Sequence, residues 1–279
     1  MLLDIEHRFA FDYDAYISES FIELRVHPKT TGDQTVNSFV LSVGPPTRVH
    51  RFLDWNDNVT HHFTITRFHN RIEVASRSLV STHPAAPPIG SITDRVPAGD
   101  LPYPLLDFLA LGGPVQATPA LRAAHKAATP RKGAALGEHV LAVGHHLAKH
   151  FEYRKDVTEY DSTTEDFLKI RAGVCQDFAH VTVGALRSLG VPARYISGYL
   201  VPVRDTEVGE TSKGESHAWV EYWDGGWTPV DPTNGTEVGV DHVVVARGRD
   251  YEDVSPFKGI YSGRAKASLD VVVAITRLA

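Results

Sequence analysis

The chain has 279 residues, with 28 lysine and arginine residues against 34 aspartate and glutamate residues and a formal net charge of −6. The length allows two modest domains or one large one, and an acidic balance without long basic runs argues against nucleic acid as a partner. No apolar stretch approaches the roughly 20 residues of a membrane helix, and acids stand where a signal peptide has basic residues. We therefore expect a cytoplasmic protein that binds neither nucleic acid nor membrane, and the sequence is silent on its oligomeric state.

The first part of the chain alternates apolar and polar residues in short runs separated by turn residues. Such a period of two is typical of antiparallel strands. It predicts an N-terminal β-sandwich-like domain over residues 1–82, with strands at Phe21 to Val26, Val36 to Val43, His62 to Arg67 and Arg71 to Ala75.

Residues 83–130 are rich in proline and are predicted to form a linker with short helices. Apolar residues then recur at helical spacing from Leu136 to Phe151, which predicts one long helix. A second helix is predicted to start at Ser162 or Thr163, because Ser162 and Glu165 have the spacing of a capping box.

A third helix is predicted to begin at Cys175 and to end at Gly190. The period returns to two after it, with strands at residues 193–201, 217–223, 227–231, 242–247 and 269–277. Helices followed by strands predict an α+β domain in which helices pack on an antiparallel sheet, here over residues 131–279.

Cys175 is the only cysteine, so an internal disulfide is excluded. A lone cysteine most often just packs in a core. The N-terminus of a helix, however, favours the thiolate form, and a histidine and an aspartate follow in His217 and Asp231. We interpret the three as nucleophile, base and orienting carboxylate.

Asp224, Gly225 and Gly226 form a predicted three-residue hairpin loop. If Trp223 pairs with Trp227, His217 and Asp231 lie on one face of the hairpin within reach of each other. A two-residue loop would place them on opposite faces. The register of this hairpin therefore decides the interpretation.

Four ordered segments resemble the transglutaminase-like superfamily, whose core fold is papain-like. They are Arg171 to His180, Arg187 to Tyr199, His217 to Glu221 and Gly226 to Gly235. The segment Asp54 to Asn58 resembles the β-domain that precedes this core in the bacterial branch, which includes cysteine proteases.

The resemblance implies Cys175 as nucleophile, His217 as base and then acid, and Asp231 as orienting carboxylate, with a thioester intermediate. The papain-type glutamine of the oxyanion hole has no counterpart, since Lys169 occupies its position. Tyr153 is the candidate substitute, and Gln176, Asp177 and Trp219 are further candidates for substrate contact or shielding.

We therefore predict a thiol-dependent enzyme that acts on a peptide or protein amide, with hydrolysis by a cysteine protease or amidase preferred over transamidation to an amine. A non-catalytic peptide-binding module with the same fold is the alternative. The sequence predicts no cofactor and no metal site, because it has neither an HExxH pattern nor a second cysteine.

Overall fold

The computed structural model describes residues 1–84, 101–128, 134–202 and 207–279. Its strands are β1 (Leu2–Ile17), β2 (Glu19–Leu24), β3 (Gln34–Gly44), β4 (Val49–Leu53), β5 (Val59–Ile65), β6 (His69–Thr82), β7 (Glu152–Tyr153), β8 (Ala172–Gly173), β9 (Ala193–Leu200), β10 (Thr211–Trp223), β11 (Trp227–Val230), β12 (His242–Gly248), β13 (Phe257–Ser262) and β14 (Ala267–Arg277). Its helices are α1 (Tyr103–Leu106), α2 (Pro119–Ala128), α3 (Leu136–His150), α4 (Thr164–Ile170), α5 (Cys175–Ser188) and α6 (Tyr251–Val254), with a short 3₁₀ helix at Asp107–Leu109.

A large curled antiparallel sheet runs through the whole molecule in the order β12-β9-β10-β14-β1-β6-β3, and β11 joins it by pairing with β10. The last strand, β14, connects the two halves of the chain. It pairs with β1 from Leu3↔Arg277 to Tyr13↔Ala267, and with β10 from Thr211↔Thr276 to Gly214↔Val273. A separate sandwich-like N-terminal domain is therefore not confirmed, because one sheet continues from the N-terminal strands into the C-terminal ones.

A second sheet has the order β13-β2-β5-β4 and lies over part of the large sheet. The two sheets share an apolar cluster to which β1 contributes Phe9 and Phe11, while β2 and β5 contribute Ile22 and Phe63. Alternate residues of a strand point to the same face, which is why the period-two pattern of the sequence identifies this core. The strand β13 comes from the C-terminal part of the chain, so this sheet too is built from both ends.

The helices cover one face of the strands β9 and β10. Ala179, Val183 and Leu186 of α5 are buried in one cluster with Ala218 and Val220 of β10. The helix α5 is buried along almost its whole length, because helices pack on one side and the sheet on the other. The structure is thus a mixed α/β fold, in which helices pack on an antiparallel sheet as the predicted α+β class requires.

The ends of the helices follow local signals. The helix α4 starts after Thr163, and its capping box joins Thr163 to Asp166 rather than Ser162 to Glu165 as predicted. One residue decides the difference, because the side chain at N3 must reach back to the N-cap backbone. Gly190 follows α5 with φ +79, a left-handed conformation that suits glycine at the end of a helix.

The predicted linker lies partly outside the described residues, since 85–100 and 129–133 are not among them. Its described part contains α1, the 3₁₀ helix and α2. Within the described part of the chain, every helix is too short or too polar to cross a lipid bilayer.

Candidate active site

Cys175 is the first residue of α5 and is partly buried. The residue before the helix, Val174, donates its N–H to Oδ2 of Asp177 over 2.8 Å. A Cβ on Gly173 would lie 2.3 Å from that same carboxylate oxygen, so glycine is required for this close approach. The local sequence thereby fixes the start of the helix and the position of the thiol.

The hairpin of β10 and β11 has the predicted register, with Trp223 opposite Trp227. Asp231 follows the last residue of β11, and its Oδ2 lies 2.8 Å from Nε2 of His217. The expectation that the hairpin places this histidine and this aspartate within reach of each other is confirmed. Because Nε2 is used by Asp231, Nδ1 is the ring nitrogen left for Cys175.

Asp231 is fully buried and accepts five hydrogen bonds. Its Oδ1 accepts from the N–H groups of Thr233 and Asn234, at 3.0 and 3.2 Å. Its Oδ2 accepts from the Asn234 side chain at 2.7 Å, from His217 at 2.8 Å and from His242 at 3.3 Å. Burial opposes the charge of Asp231, but these donors hold its pKa well below the usual range. The carboxylate is therefore ionised and fixed in one orientation.

His217 is held in its charged form by its neighbours. Burial disfavours the imidazolium, but hydrogen bonds to Asp231 and to Cys175 favour it, and together they raise the pKa of His217 to about 10. A ring that stays protonated at neutral pH between a carboxylate and a thiol has the charge needed to stabilise a thiolate. His217 is thus hydrogen-bonded to the Asp231 carboxylate and coupled electrostatically to Cys175.

Trp219 lies two residues after His217 on the same strand and is fully buried. Its ring is stacked 6.1 Å from the His217 ring. The residue paired with His217 on β9 is Gly198, where a Cβ would lie 2.1 Å from the backbone oxygen of Val243 and 2.4 Å from the Trp219 ring. Trp219 therefore shields one side of the imidazole, and a glycine on the adjacent strand makes room for it.

The other candidates have different surroundings. Tyr153 is on β7 and is half-exposed, and its pKa is raised first by burial and then by its electrostatic interaction with Cys175. Gln176 donates from Nε2 to the backbone oxygen of Tyr160 at 2.8 Å. Asp177 accepts from Thr158 and from the backbone before its own helix. Tyr153 is thus open to solvent, whereas the hydrogen bonds of Asp177 are those of a helix cap.

The sequence reasoning missed His242, which begins β12 and is buried. Its Nδ1 lies 2.8 Å from Oδ1 of Asp241, and its Nε2 faces Asp231. Burial opposes its charge, but the hydrogen bonds to Asp231 and then Asp241 raise the pKa of His242. The one available signal was the pair Asp241-His242 at the start of a predicted strand, and nothing local links that pair to Asp231.

His217, Asp231 and His242 are also the one group among the described residues whose side chains are arranged to hold a metal ion, with ligand atoms within 4.8 Å of one another. Two imidazoles and a carboxylate suit several transition metals. In this structure both Nε2 atoms face the same carboxylate oxygen at hydrogen-bonding distance, which a protonated pair of rings explains without an ion.

His180 is the histidine nearest to Cys175 in the sequence, but it lies inside the core. Its Nε2 accepts from the N–H of Tyr251 at 3.1 Å, and burial lowers the pKa of His180 to about 3. It is a neutral structural side chain.

Comparison with known proteins identifies both halves of the chain. The sequence model of the transglutaminase-like superfamily matches residues 122–232, and that of the bacterial transglutaminase-like N-terminal region matches residues 3–81. The uncharacterized protein ML0607 of Mycobacterium leprae is 37% identical over 99% of this chain and 98% of its own length. An alignment of 76 positions, which covers 25% of this chain and 11% of the relative, shows 40% identity to the protein-glutamine gamma-glutamyltransferase of Pseudomonas aeruginosa.

Among solved structures, the one described as "a Putative Cysteine Protease from Cytophaga hutchinsonii" superposes with a TM-score of 0.82. The alignment covers 98% of this chain and 90% of that one at 24% identity. This likeness establishes the fold over nearly the whole chain, including the curled sheet shared by the two halves.

Proposed function

Since this chain belongs to the transglutaminase-like superfamily, we propose that it is a cysteine-dependent enzyme that cleaves amide bonds by acyl transfer. The observation that supports the proposal is the hydrogen bond of His217 to the buried carboxylate of Asp231, which together with the interaction of His217 with Cys175 raises the pKa of His217 to about 10. A histidine that only packs in a core has no need of such partners, as the neutral His180 illustrates.

The reaction begins when the Cys175 thiolate attacks the carbonyl carbon of the amide. The backbone N–H of Cys175 and the hydroxyl of Tyr153 are the proposed donors to the developing oxyanion. His217 then gives its Nδ1 proton to the nitrogen as the carbon–nitrogen bond breaks, so that the amine leaves and a thioester remains. Asp231 holds the ring in position and stabilises its charged form throughout.

The acceptor of the acyl group decides between two activities. When water is the acceptor, neutral His217 takes a proton from it while the water oxygen attacks the carbonyl carbon of the thioester. The carbon–sulfur bond then breaks, and the carboxylic acid and the free thiol are released. With a primary amine, the same steps give a new amide. We propose hydrolysis of a peptide or protein amide as the main reaction, and transamidation as the alternative that the similarity to a gamma-glutamyltransferase segment favours.

Alkylation of the single cysteine tests the proposal without knowledge of the substrate. We expect iodoacetamide to label Cys175 rapidly at pH 6 in the wild type and at least tenfold more slowly in His217→Ala, because the imidazolium supports the thiolate. The matched control is His50→Ala, an exposed histidine on β4, which should label like the wild type. Equal labelling rates of Cys175 in the wild type and in His217→Ala would contradict the proposal and would leave the non-catalytic peptide-binding module as the remaining interpretation.

Intact-mass spectrometry then identifies the reaction. Acid-quenched mixtures of the protein with a set of end-blocked glutamine and asparagine peptides should contain a thioester adduct on Cys175 that is absent in Cys175→Ala. Addition of a primary amine distinguishes the two activities. A peptide product that stays the free acid shows hydrolysis, and one that gains the mass of the amine shows transamidation.

A further inference from the structure

A groove of about 1160 Å³ lies between the second sheet, the large sheet and the helical layer. One wall is formed by alternate residues of β1 and β14 that stand opposite one another, since Phe9 pairs with Val271 and Phe11 with Leu269. The β13 wall is aromatic, and the Phe257 ring lies 4.1 Å from that of Phe11. The groove is therefore mainly apolar.

One end of the groove lies near the candidate active site. Ser216, which lines it, immediately precedes His217 on β10. Tyr160, which also lines it, accepts a hydrogen bond through its backbone oxygen from Gln176, the residue after Cys175. Cys175 and His217 do not themselves line the groove, but its Tyr160 end is one hydrogen bond away from the residue that follows Cys175.

The side of the groove nearest β10 is an open strand edge. The strand β14 pairs with β10 only from Gly214↔Val273 onward, and among the described residues no strand pairs with that side of residues 267–272. The side chains there are uncovered, with Leu269 51% and Val271 42% exposed. Half of the backbone N–H and C=O groups of this segment therefore lack a strand partner, an arrangement that accepts an added strand.

A buried polar atom also lies at the groove. His7 lines it and is only 2% exposed. Its Nδ1 is 2.9 Å from the hydroxyl of Tyr199, while its Nε2 has no hydrogen-bond partner among the residues that the structure describes. Burial lowers the pKa of His7 to about 3, so the ring is neutral. A buried ring nitrogen without a partner is costly unless a ligand supplies one.

We infer that this groove is the acyl-donor site, and that it binds an extended peptide as an added strand on β14. The bound segment has apolar side chains at alternate positions, which point into the groove, while its backbone pairs with residues 267–272 and offers a polar group to His7. A lipid-like acyl chain would fill the apolar space but would leave both the strand edge and His7 Nε2 unpaired. The inference rests on the proposed function, because it names the substrate class of that site.

The test measures binding to the Cys175→Ala variant by fluorescence anisotropy, so that turnover does not interfere. The probe is the fluorescein-labelled, end-blocked peptide Ser-Phe-Ser-Val-Ser-Leu-Gln-Gly. A peptide of the same composition with adjacent apolar residues, Ser-Ser-Ser-Phe-Val-Leu-Gln-Gly, should bind at least tenfold more weakly. Two versions of the probe are N-methylated, one at its serines and one at its apolar residues. Only the version whose methyl groups face β14 should lose affinity.

Substitutions on β14 locate the bound peptide. Val271 lines the groove, whereas Val272 is equally exposed, at 43%, and points to the opposite face of the same strand. In the Cys175→Ala background, Val271→Lys should weaken binding of the probe at least tenfold and Val272→Lys less than twofold. His7→Phe, which keeps a ring and removes both nitrogens, should weaken it about fivefold.

The outcomes separate this inference from the proposed function. Equal affinity of the Val271→Lys and Val272→Lys proteins, or unchanged affinity of both N-methylated peptides, overturns the groove as a strand-binding site. Tighter binding of decanoyl-glutamine amide than of the probe overturns it in favour of a lipid-like occupant. The alkylation test of Cys175 in the wild type and His217→Ala is independent of all these results, so the proposed function stands or fails by that test.

Discussion

Replacing Asp231 by asparagine tests the electrostatic core of the site. The carboxylate accepts five hydrogen bonds, three of them at Oδ2 from His217, His242 and Asn234. An amide of the same shape keeps Oδ1 as an acceptor for the backbone N–H groups, but it places an NH₂ group opposite the three side-chain donors. The substitution therefore removes the negative charge and the hydrogen bond that stabilise the His217 imidazolium, with little change in volume.

The size of the effect follows from the lost hydrogen bond. A hydrogen bond to a charged group contributes about 1.5–3 kcal/mol, and one pKa unit corresponds to about 1.4 kcal/mol. The pKa of His217, raised to about 10 in the wild type, should therefore fall by about 1–2 units in Asp231→Asn. The same energy predicts acyl transfer that is about 10- to 150-fold slower.

NMR titration of the histidine Cε1–H signals measures the pKa directly, with His217→Gln used for assignment. Asp12→Asn is the matched control, because Asp12 forms an exposed ion pair with Arg71 on the sheet surface. It should leave the His217 titration and the acyl-transfer rate unchanged. If His217 titrates at the same pH in Asp231→Asn and in the wild type, the assignment of Asp231 as the stabilising carboxylate is wrong.

Three further predictions concern stability. Glu221→Ala should lower the free energy of unfolding by about 3–5 kcal/mol, because it removes a buried carboxylate that pairs with two arginines. The control Glu215→Ala, which breaks an exposed ion pair, should change the free energy of unfolding by less than about 1 kcal/mol. Similar urea midpoints for the two variants would contradict this prediction. Gly198→Ala should lower the free energy of unfolding by at least about 1–3 kcal/mol, because the new Cβ would clash with backbone. Gly226→Ala should leave the free energy of unfolding unchanged, since open space surrounds that glycine. Equal melting temperatures of the two variants would refute the argument from crowding. The pKa of His217 in the folded protein is raised to about 10, so the contribution of its charged form to stability is complete below about pH 6.5 and is lost as the pH rises toward 10. The free energy of unfolding, measured with urea, should therefore fall more steeply between these pH values in the wild type than in His217→Gln. Parallel pH profiles of the two proteins would disprove this prediction.

Local patterns in the sequence determine much of the candidate site. A glycine before the helix and an acid at its third position set the start of α5, and hence the place of Cys175. The length of the turn after Trp223 sets the hairpin register, which brings His217 to Asp231. These features depend on residues close together in the chain, so their spacing alone predicts them.

Other features depend on contacts between distant parts of the chain. The strand β14 lies between β1 and β10 although more than 250 residues separate Leu3 from Arg277 in one of its pairs. This pairing makes one curled sheet of what the sequence suggests are two units. His242 reaches Asp231 because β12 lies beside β9, which no local periodicity specifies.

The sequence by itself determined the identities of the candidate site residues, the helix that presents the thiol and the hairpin that aligns the imidazole with its carboxylate. Only the tertiary structure decided which strands became neighbours, and with them the groove, its open edge on β14 and the unpartnered nitrogen of His7. The physical reason is that turn and helix geometry depend on short-range sterics and hydrogen bonds, whereas the pairing of remote strands depends on how the whole chain buries its apolar faces.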